Sequence, residues 1–92
     1  MLTAKQHNVC ERVVERYGKD MQTIIAIEEM SELIKELSKQ KRGRDNKNQI
    51  IEEMADVYIC LEQLAIMNDI GYSELEDWVC KKIDRIENRL KY

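Results

Sequence analysis

Apolar residues recur every three or four positions along most of the chain, and this spacing predicts amphipathic α-helices. Thr3 is suited to cap a first helix that runs to about Tyr17, just before a glycine. Asp20 is then placed to cap a second helix, from Met21 to about Arg42. This second helix carries two apolar rows, which predict that it is buried on a broad front: Ile24, Ile27, Ile34 and Met30, Leu33, Leu37.

The third helix follows a polar stretch with a glycine, residues 41–47, which predicts a loop. We expect the helix to run from about Lys47 to Asp69. Its apolar stripe consists of Met54, Val57, Leu61, Leu64 and Ala65. Because the connection is short, the second and third helices are expected to pack antiparallel.

The fourth helix begins after a break in the pattern at residues 68–72. Ser73 with Glu76 three residues later is typical of a capping box. The helix is expected to end near Leu90, and its apolar row is Leu75, Val79, Ile83, Ile86 and Leu90. The pattern as a whole predicts an all-α fold of four helices.

Composition supports a single helical domain over residues 1–92. The chain has no proline, three glycines and 36% charged residues, which favours long helices with short connections. The net charge of -3 argues against nucleic acid as a partner. No apolar run approaches the roughly 20 residues of a membrane span, and the first residues lack the apolar stretch of a signal peptide.

The cysteines Cys10, Cys60 and Cys80 are odd in number, far apart and without a CxxC pair. This spacing fits neither a zinc site nor a disulfide framework. We therefore expect reduced, buried cysteines and a cytoplasmic protein.

Two acidic runs, residues 28–32 and 52–56, lie inside apolar helical stretches. Residues three and four apart share a helix face, so each run places carboxylates together. The pairs on one face are Glu29 with Glu32 and Glu53 with Asp56. If the two helices pack together, four carboxylates meet, and repulsion and desolvation call for a positive counterpart. A hard divalent cation such as Mg2+, which takes oxygen ligands, is the simplest candidate.

The alternative for any single acidic run is an ordinary solvated helix face. Charge spacing favours the site: surface helices usually place Lys or Arg four residues after Glu, whereas here the fourth residue is again acidic. These like-charge pairs are Glu28 with Glu32, Glu32 with Glu36 and Glu52 with Asp56. A di-iron bundle is a poor fit, because it uses Glu-x-x-His ligands and the one histidine, His7, lies outside both runs and is expected to be exposed.

The EExxE motif at residues 28–32, the polar loop and the ExxD motif at residues 53–56 together resemble the signature of MazG-like nucleotide pyrophosphohydrolases, within the all-α NTP pyrophosphatase superfamily. The resemblance extends from Ile24 to about Leu64. Lys82-Ile83-Asp84-Arg85 is similar to the KxxR element near the end of many such domains.

The resemblance implies a MazG-like helical bundle completed by oligomerisation, as a homodimer or homotetramer. It implies hydrolysis of a nucleoside triphosphate to the monophosphate and pyrophosphate, with Mg2+ or Mn2+ held by four carboxylates. These are Glu29, Glu32, Glu53 and Asp56. Glu28 and Glu52 match less constrained acidic positions, which bind a second ion or orient water.

The residue types fit such chemistry. A carboxylate not engaged by metal, Glu28 or Glu52, can accept the proton of the attacking water. The cations Lys82, Arg85 and Arg89 recur at helical spacing and can hold the outer phosphates, from the same subunit or a partner. Spacing does not select the groups that contact base and sugar; the candidates are Asn8, Tyr58, Gln63 and Trp78, of which Tyr58 and Trp78 are expected rather in the core or an interface.

Two other functions remain open at this point. One is a non-catalytic helical dimerisation or regulatory module with the same fold. The other is a phosphoribosyl-ATP pyrophosphatase within the same superfamily.

Overall fold

A computed structural model describes residues 2–91, and the regular elements within them are α-helices. They are α1 (Ala4–Tyr17), α2 (Lys19–Lys41), α3 (Lys47–Met67) and α4 (Tyr72–Leu90). The all-α fold class and the four helices predicted from the sequence are confirmed. None of the helices in this described part is both long and apolar enough to cross a membrane.

The start of α1 is as predicted. The Thr3 hydroxyl accepts a hydrogen bond from the Gln6 backbone N–H at 3.1 Å, and the Gln6 side chain accepts one from the Thr3 N–H at 2.9 Å. The start of α2 differs, because Gly18 alone connects the two helices. Its φ of 88° lies in the left-handed region, where a glycine has no Cβ to clash. The helix therefore begins at Lys19, and Asp20 lies in its first turn instead of capping it.

The start of α4 also differs from the capping box predicted at Ser73. The chain leaves α3 through Asp69, whose φ of 53° is left-handed, and the Ile70 N–H donates to the Ala65 carbonyl at 2.9 Å. Because α3 ends in this tight turn, α4 begins earlier in the sequence than predicted. The Glu74 carboxylate accepts from the Gly71 N–H at 2.8 Å, so α4 begins at Tyr72.

The packed part of the molecule is formed by α1, α2 and α3, with its most extensive contact between α2 and α3. Thr23 on α2 is hydrogen-bonded to Met67 at the end of α3, and Asn46 before α3 is hydrogen-bonded to Glu36 on α2. These two bonds, at opposite ends of the pair, show that α2 and α3 run antiparallel. The buried apolar side chains are Cys10, Val14, Ala26, Ile50, Cys60 and Met67.

Helix α4 contributes nothing to this core, since every described residue in it is exposed. The radius of gyration is 15.8 Å, compared with about 12 Å for a compact domain of this length. Two expectations are wrong for the single chain: the apolar rows of α2 are largely exposed, and Cys80 is exposed on α4. Tyr58 and Trp78, expected in the core or an interface, are half exposed and so lie outside the core.

Candidate metal centre

Three carboxylates meet where α2 crosses the first half of α3. Glu29 projects from α2, and Glu53 and Asp56 project from α3, all three half-buried. One oxygen from each lies within 4.8 Å of the others. Close approach of the helices is permitted one turn away, where the small side chains of Ala26 and Cys60 are almost fully buried.

The proximity of the three carboxylates affects the pKa of Glu29. Burial raises the pKa of its carboxyl above the ordinary value, and a hydrogen bond with Asp56 raises it further. The charges of Asp56, Glu53 and Glu32 act in the same direction. Burial and the neighbouring carboxylates therefore disfavour the charged form of Glu29, and a cation at this point would relieve that cost.

The pKa of the Glu53 carboxyl is also raised. Burial is the largest cause, and the charges of four carboxylates act in the same direction: Asp56, Glu32, Glu52 and Glu36. Its Oε2 atom is buried and has no hydrogen-bond partner. A buried oxygen without a donor is costly, and such an atom in a native protein calls for an explanation.

A divalent cation fits this donor set. Within residues 2–91, no lysine or arginine lies within ion-pair distance of the three carboxylates. The ligands on offer are carboxylate oxygens, which Mg2+ and Mn2+ prefer, and Glu53 Oε2 is free to coordinate. The residues able to hold the ion are therefore Glu29, Glu53 and Asp56.

The other acidic residues predicted for the site lie around this group. Glu32 is exposed and not one of the three that converge, although its charge reaches both Glu29 and Glu53. Glu28 and Glu52 are exposed, and the charge of Glu52 acts on Glu53. Their assignment to metal binding or proton transfer stays a prediction.

The predicted phosphate-binding cations lie on α4. Lys82, Arg85 and Arg89 are exposed, and in the described part of the protomer no ion pair joins them to the carboxylates.

Sequence reasoning missed two polar contacts. Glu36 and Asn46 are more than nine-tenths buried and are hydrogen-bonded to each other. His7, expected to be exposed, is only partly so: its Nδ1 lies 2.6 Å from Glu62 Oε1 and its Nε2 lies 3.5 Å from Glu11. The sequence did contain one signal for the contact between Glu36 and Asn46. Glu36 is seven residues after Glu29 and therefore lies on the same helix face.

Comparison with protein-family models, with curated proteins and with solved structures gave no match.

Proposed function

We propose that the chain is a Mg2+-dependent hydrolase that cleaves a nucleoside triphosphate to the nucleoside monophosphate and pyrophosphate. The observation that carries this proposal is the convergence of Glu29, Glu53 and Asp56, where one buried oxygen has no hydrogen-bond partner and no ion-pairing cation among residues 2–91. The EExxE and ExxD motifs that resemble MazG-like enzymes contain these same three residues.

The proposed reaction is attack of water on the α-phosphorus, with the bond to the bridging oxygen breaking and pyrophosphate leaving. When bound, the cation supplies the positive charge that offsets the charge of the polyphosphate. Glu29, Glu53 and Asp56 hold it, with Glu32 completing the acidic wall. Glu28 or Glu52, both exposed, accepts the proton of the water.

The protein is proposed to act as a homodimer or homotetramer, because the apolar face of α4 is left largely uncovered by the part of the chain that the structure describes. Leu75, Val79, Ile83 and Ile86 are each about half exposed. Beside α3 lies a groove of about 610 Å3, lined by apolar side chains that include Val9, Ile51, Met54 and Ile59. An exposed apolar helix and an exposed apolar groove on one chain are self-complementary, so we place the α4 of a second copy in the groove.

This arrangement gives the predicted cations a role. If the partner supplies α4, it also supplies Lys82, Arg85 and Arg89, which lie along one flank of that helix. Their charges would hold the outer phosphates and offset the acidic side of the site.

The test is pyrophosphate release from a panel of canonical and modified (d)NTPs in the presence of Mg2+. At least one nucleotide should be hydrolysed, and Glu53→Gln or Asp56→Asn should abolish turnover. Glu15→Gln serves as the matched control, because Glu15 is an exposed carboxylate on α1 outside the site. No turnover of any nucleotide by the wild-type protein would refute the proposal.

The exposed face of α4 also supports the second candidate, a non-catalytic dimerisation module. That function requires the same oligomer and no turnover. The pyrophosphate assay separates the two, because only the enzyme consumes the nucleotide. A cytoplasmic location, consistent with the free cysteines, is part of the same proposal.

A further inference from the structure

A buried hydrogen-bonded pair ties the start of α3 to α2. The Asn46 Nδ2 donates to the backbone carbonyl of Glu36 at 2.9 Å and to its carboxylate Oε2 at 3.1 Å. The other carboxylate oxygen of Glu36 is 3.3 Å from Lys39 Nζ. The bond from Asn46, supported by Lys39, holds the pKa of Glu36 below its ordinary value, so Glu36 is an anion with both oxygens engaged.

The contact is made at the expense of a helix cap. Asn46 stands at the N-cap position of α3, where asparagine normally accepts a hydrogen bond from the first turn of its own helix. Here it makes no such bond, and its Oδ1 is buried without a partner. A cap of this kind normally stabilises its helix. The amide is instead committed to α2, which indicates that the tie between the helices is the role of this residue.

The pair lies in a fixed relation to the carboxylate cluster. Glu36 is seven residues after Glu29 on α2, and Asn46 is seven residues before Glu53 on α3. Seven residues are about two helical turns and a rise of about 10 Å, so both partners lie on the helix faces that carry the cluster. A bond at this point sets how far α2 and α3 are shifted along each other. Because one residue of slip is a shift of about 1.5 Å, it would separate carboxylates that now converge.

We propose that Asn46 and Glu36 are positioning residues, which hold α2 and α3 in the register that brings Glu29, Glu53 and Asp56 to one cation. The inference rests on the metal centre of the proposed function. It assigns the pair no contact with the cation or with the substrate. Its consequence is that the affinity for a divalent cation depends on a hydrogen bond two turns away.

The decisive variant is Asn46→Asp. Aspartate has the same shape and is a good N-cap, so α3 gains the cap that Asn46 does not make. The aspartate cannot donate a hydrogen bond to Glu36, and its carboxylate lies next to the carboxylate of Glu36. Asn48→Asp is the matched control, because it places the same charge in the exposed first turn of the same helix. Asn46→Ala removes the donor without adding charge.

The measurement is Mn2+ binding by isothermal titration calorimetry, with circular dichroism to verify the fold. We expect Asn46→Asp and Asn46→Ala to weaken Mn2+ binding about 10- to 100-fold, as for other residues that orient metal ligands. Asn48→Asp should bind as tightly as the wild type or slightly more tightly. Charge alone acts in the opposite direction, because an added carboxylate attracts the cation.

Asn46→Asp binding at least as tightly as Asn48→Asp would overturn the proposal. Loss of the fold in both Asn46 variants would also overturn it, since the pair would then be required for folding and not for register. A wild-type protein that binds no Mn2+ would refute the metal centre and the positioning role together. Mn2+ binding with the expected loss in the variants, but without nucleotide hydrolysis, would refute only the proposed function.

Discussion

The proposed placement of α4 on a second copy makes Ile83→Asp a sharp test. Ile83 is 56% exposed in the protomer and belongs to the apolar row of α4. Within a monomer, a charge at this exposed position has little to disturb, and the helix should form as before. Within the proposed interface, the same carboxylate replaces an apolar contact and is removed from water.

The size of the effect follows from the exposure. Fully burying an isoleucine contributes about 1.5–3 kcal/mol, so covering the exposed half contributes about 1 kcal/mol. A carboxylate in its place adds a desolvation cost of at least about 1 kcal/mol. In a twofold contact the change occurs twice, for a total of about 4 kcal/mol or more, which raises the dissociation constant at least ~1,000-fold.

The assay is size-exclusion chromatography with light scattering over a range of concentrations. We expect the wild type to be a dimer or tetramer and Ile83→Asp to be a folded monomer. Asn88→Asp is the control, because it puts the same carboxylate on the polar face of α4. A wild type that is monomeric at high concentration, or an Ile83→Asp variant that assembles like Asn88→Asp, would refute the reasoning.

Three further outcomes follow from individual contacts. The pKa values of Glu29 and Glu53 are raised in the folded protein, so the stability of the metal-free protein should fall as pH rises above 4.5. Thermal scans should therefore show that Mg2+ stabilises the protein more near pH 8 than near pH 5. The hydrogen bond to Glu62 raises the pKa of His7 above 6.5. The stability that the charged His7 provides is therefore present below pH 6.5 and is lost as pH rises through the raised pKa. In urea unfolding, His7→Gln should destabilise the protein near pH 6 and have little effect near pH 9. Thr3→Ala removes the cap of α1 and should cost about 1 kcal/mol, seen as a melting temperature about 4–8 °C lower, whereas Lys5→Ala, at an exposed position, should leave it nearly unchanged.

The elements that sequence alone could predict are those governed by local patterns. Helical periodicity defined all four helices, and Thr3 and Gly18 mark the limits of α1. The convergence of Glu29, Glu53 and Asp56 was also predictable, because a short loop makes α2 and α3 antiparallel neighbours and their spacing selects the facing side.

The features that sequence could not predict depend on tertiary contacts. An amphipathic row on α4 looks the same whether it is covered by its own chain or by another, so the sequence did not show that α4 stays outside the core. The contact of Asn46 with Glu36 could not be predicted either, because it also depends on packing. The residue type and position of Asn46 indicate a helix cap, and only packing against α2 redirects its amide to Glu36.

The start of α4 shows a third kind of limit. Ser73 and Glu76 form an acceptable capping box by sequence, but the bond that is made lies two residues earlier, where the Glu74 carboxylate accepts from the Gly71 N–H. The tight ending of α3 at Asp69 decides between them, because it leaves room for only a short link before the next helix.

The proposed hydrolysis can be followed directly by 31P NMR of a (d)NTP incubated with the protein and Mg2+. We expect the triphosphate signals to be replaced by those of pyrophosphate and the nucleoside monophosphate. The reaction should stop when EDTA removes the cation and resume when Mg2+ is restored in excess. Release of orthophosphate with a diphosphate product, or intact triphosphate for every nucleotide tested, would contradict the proposal.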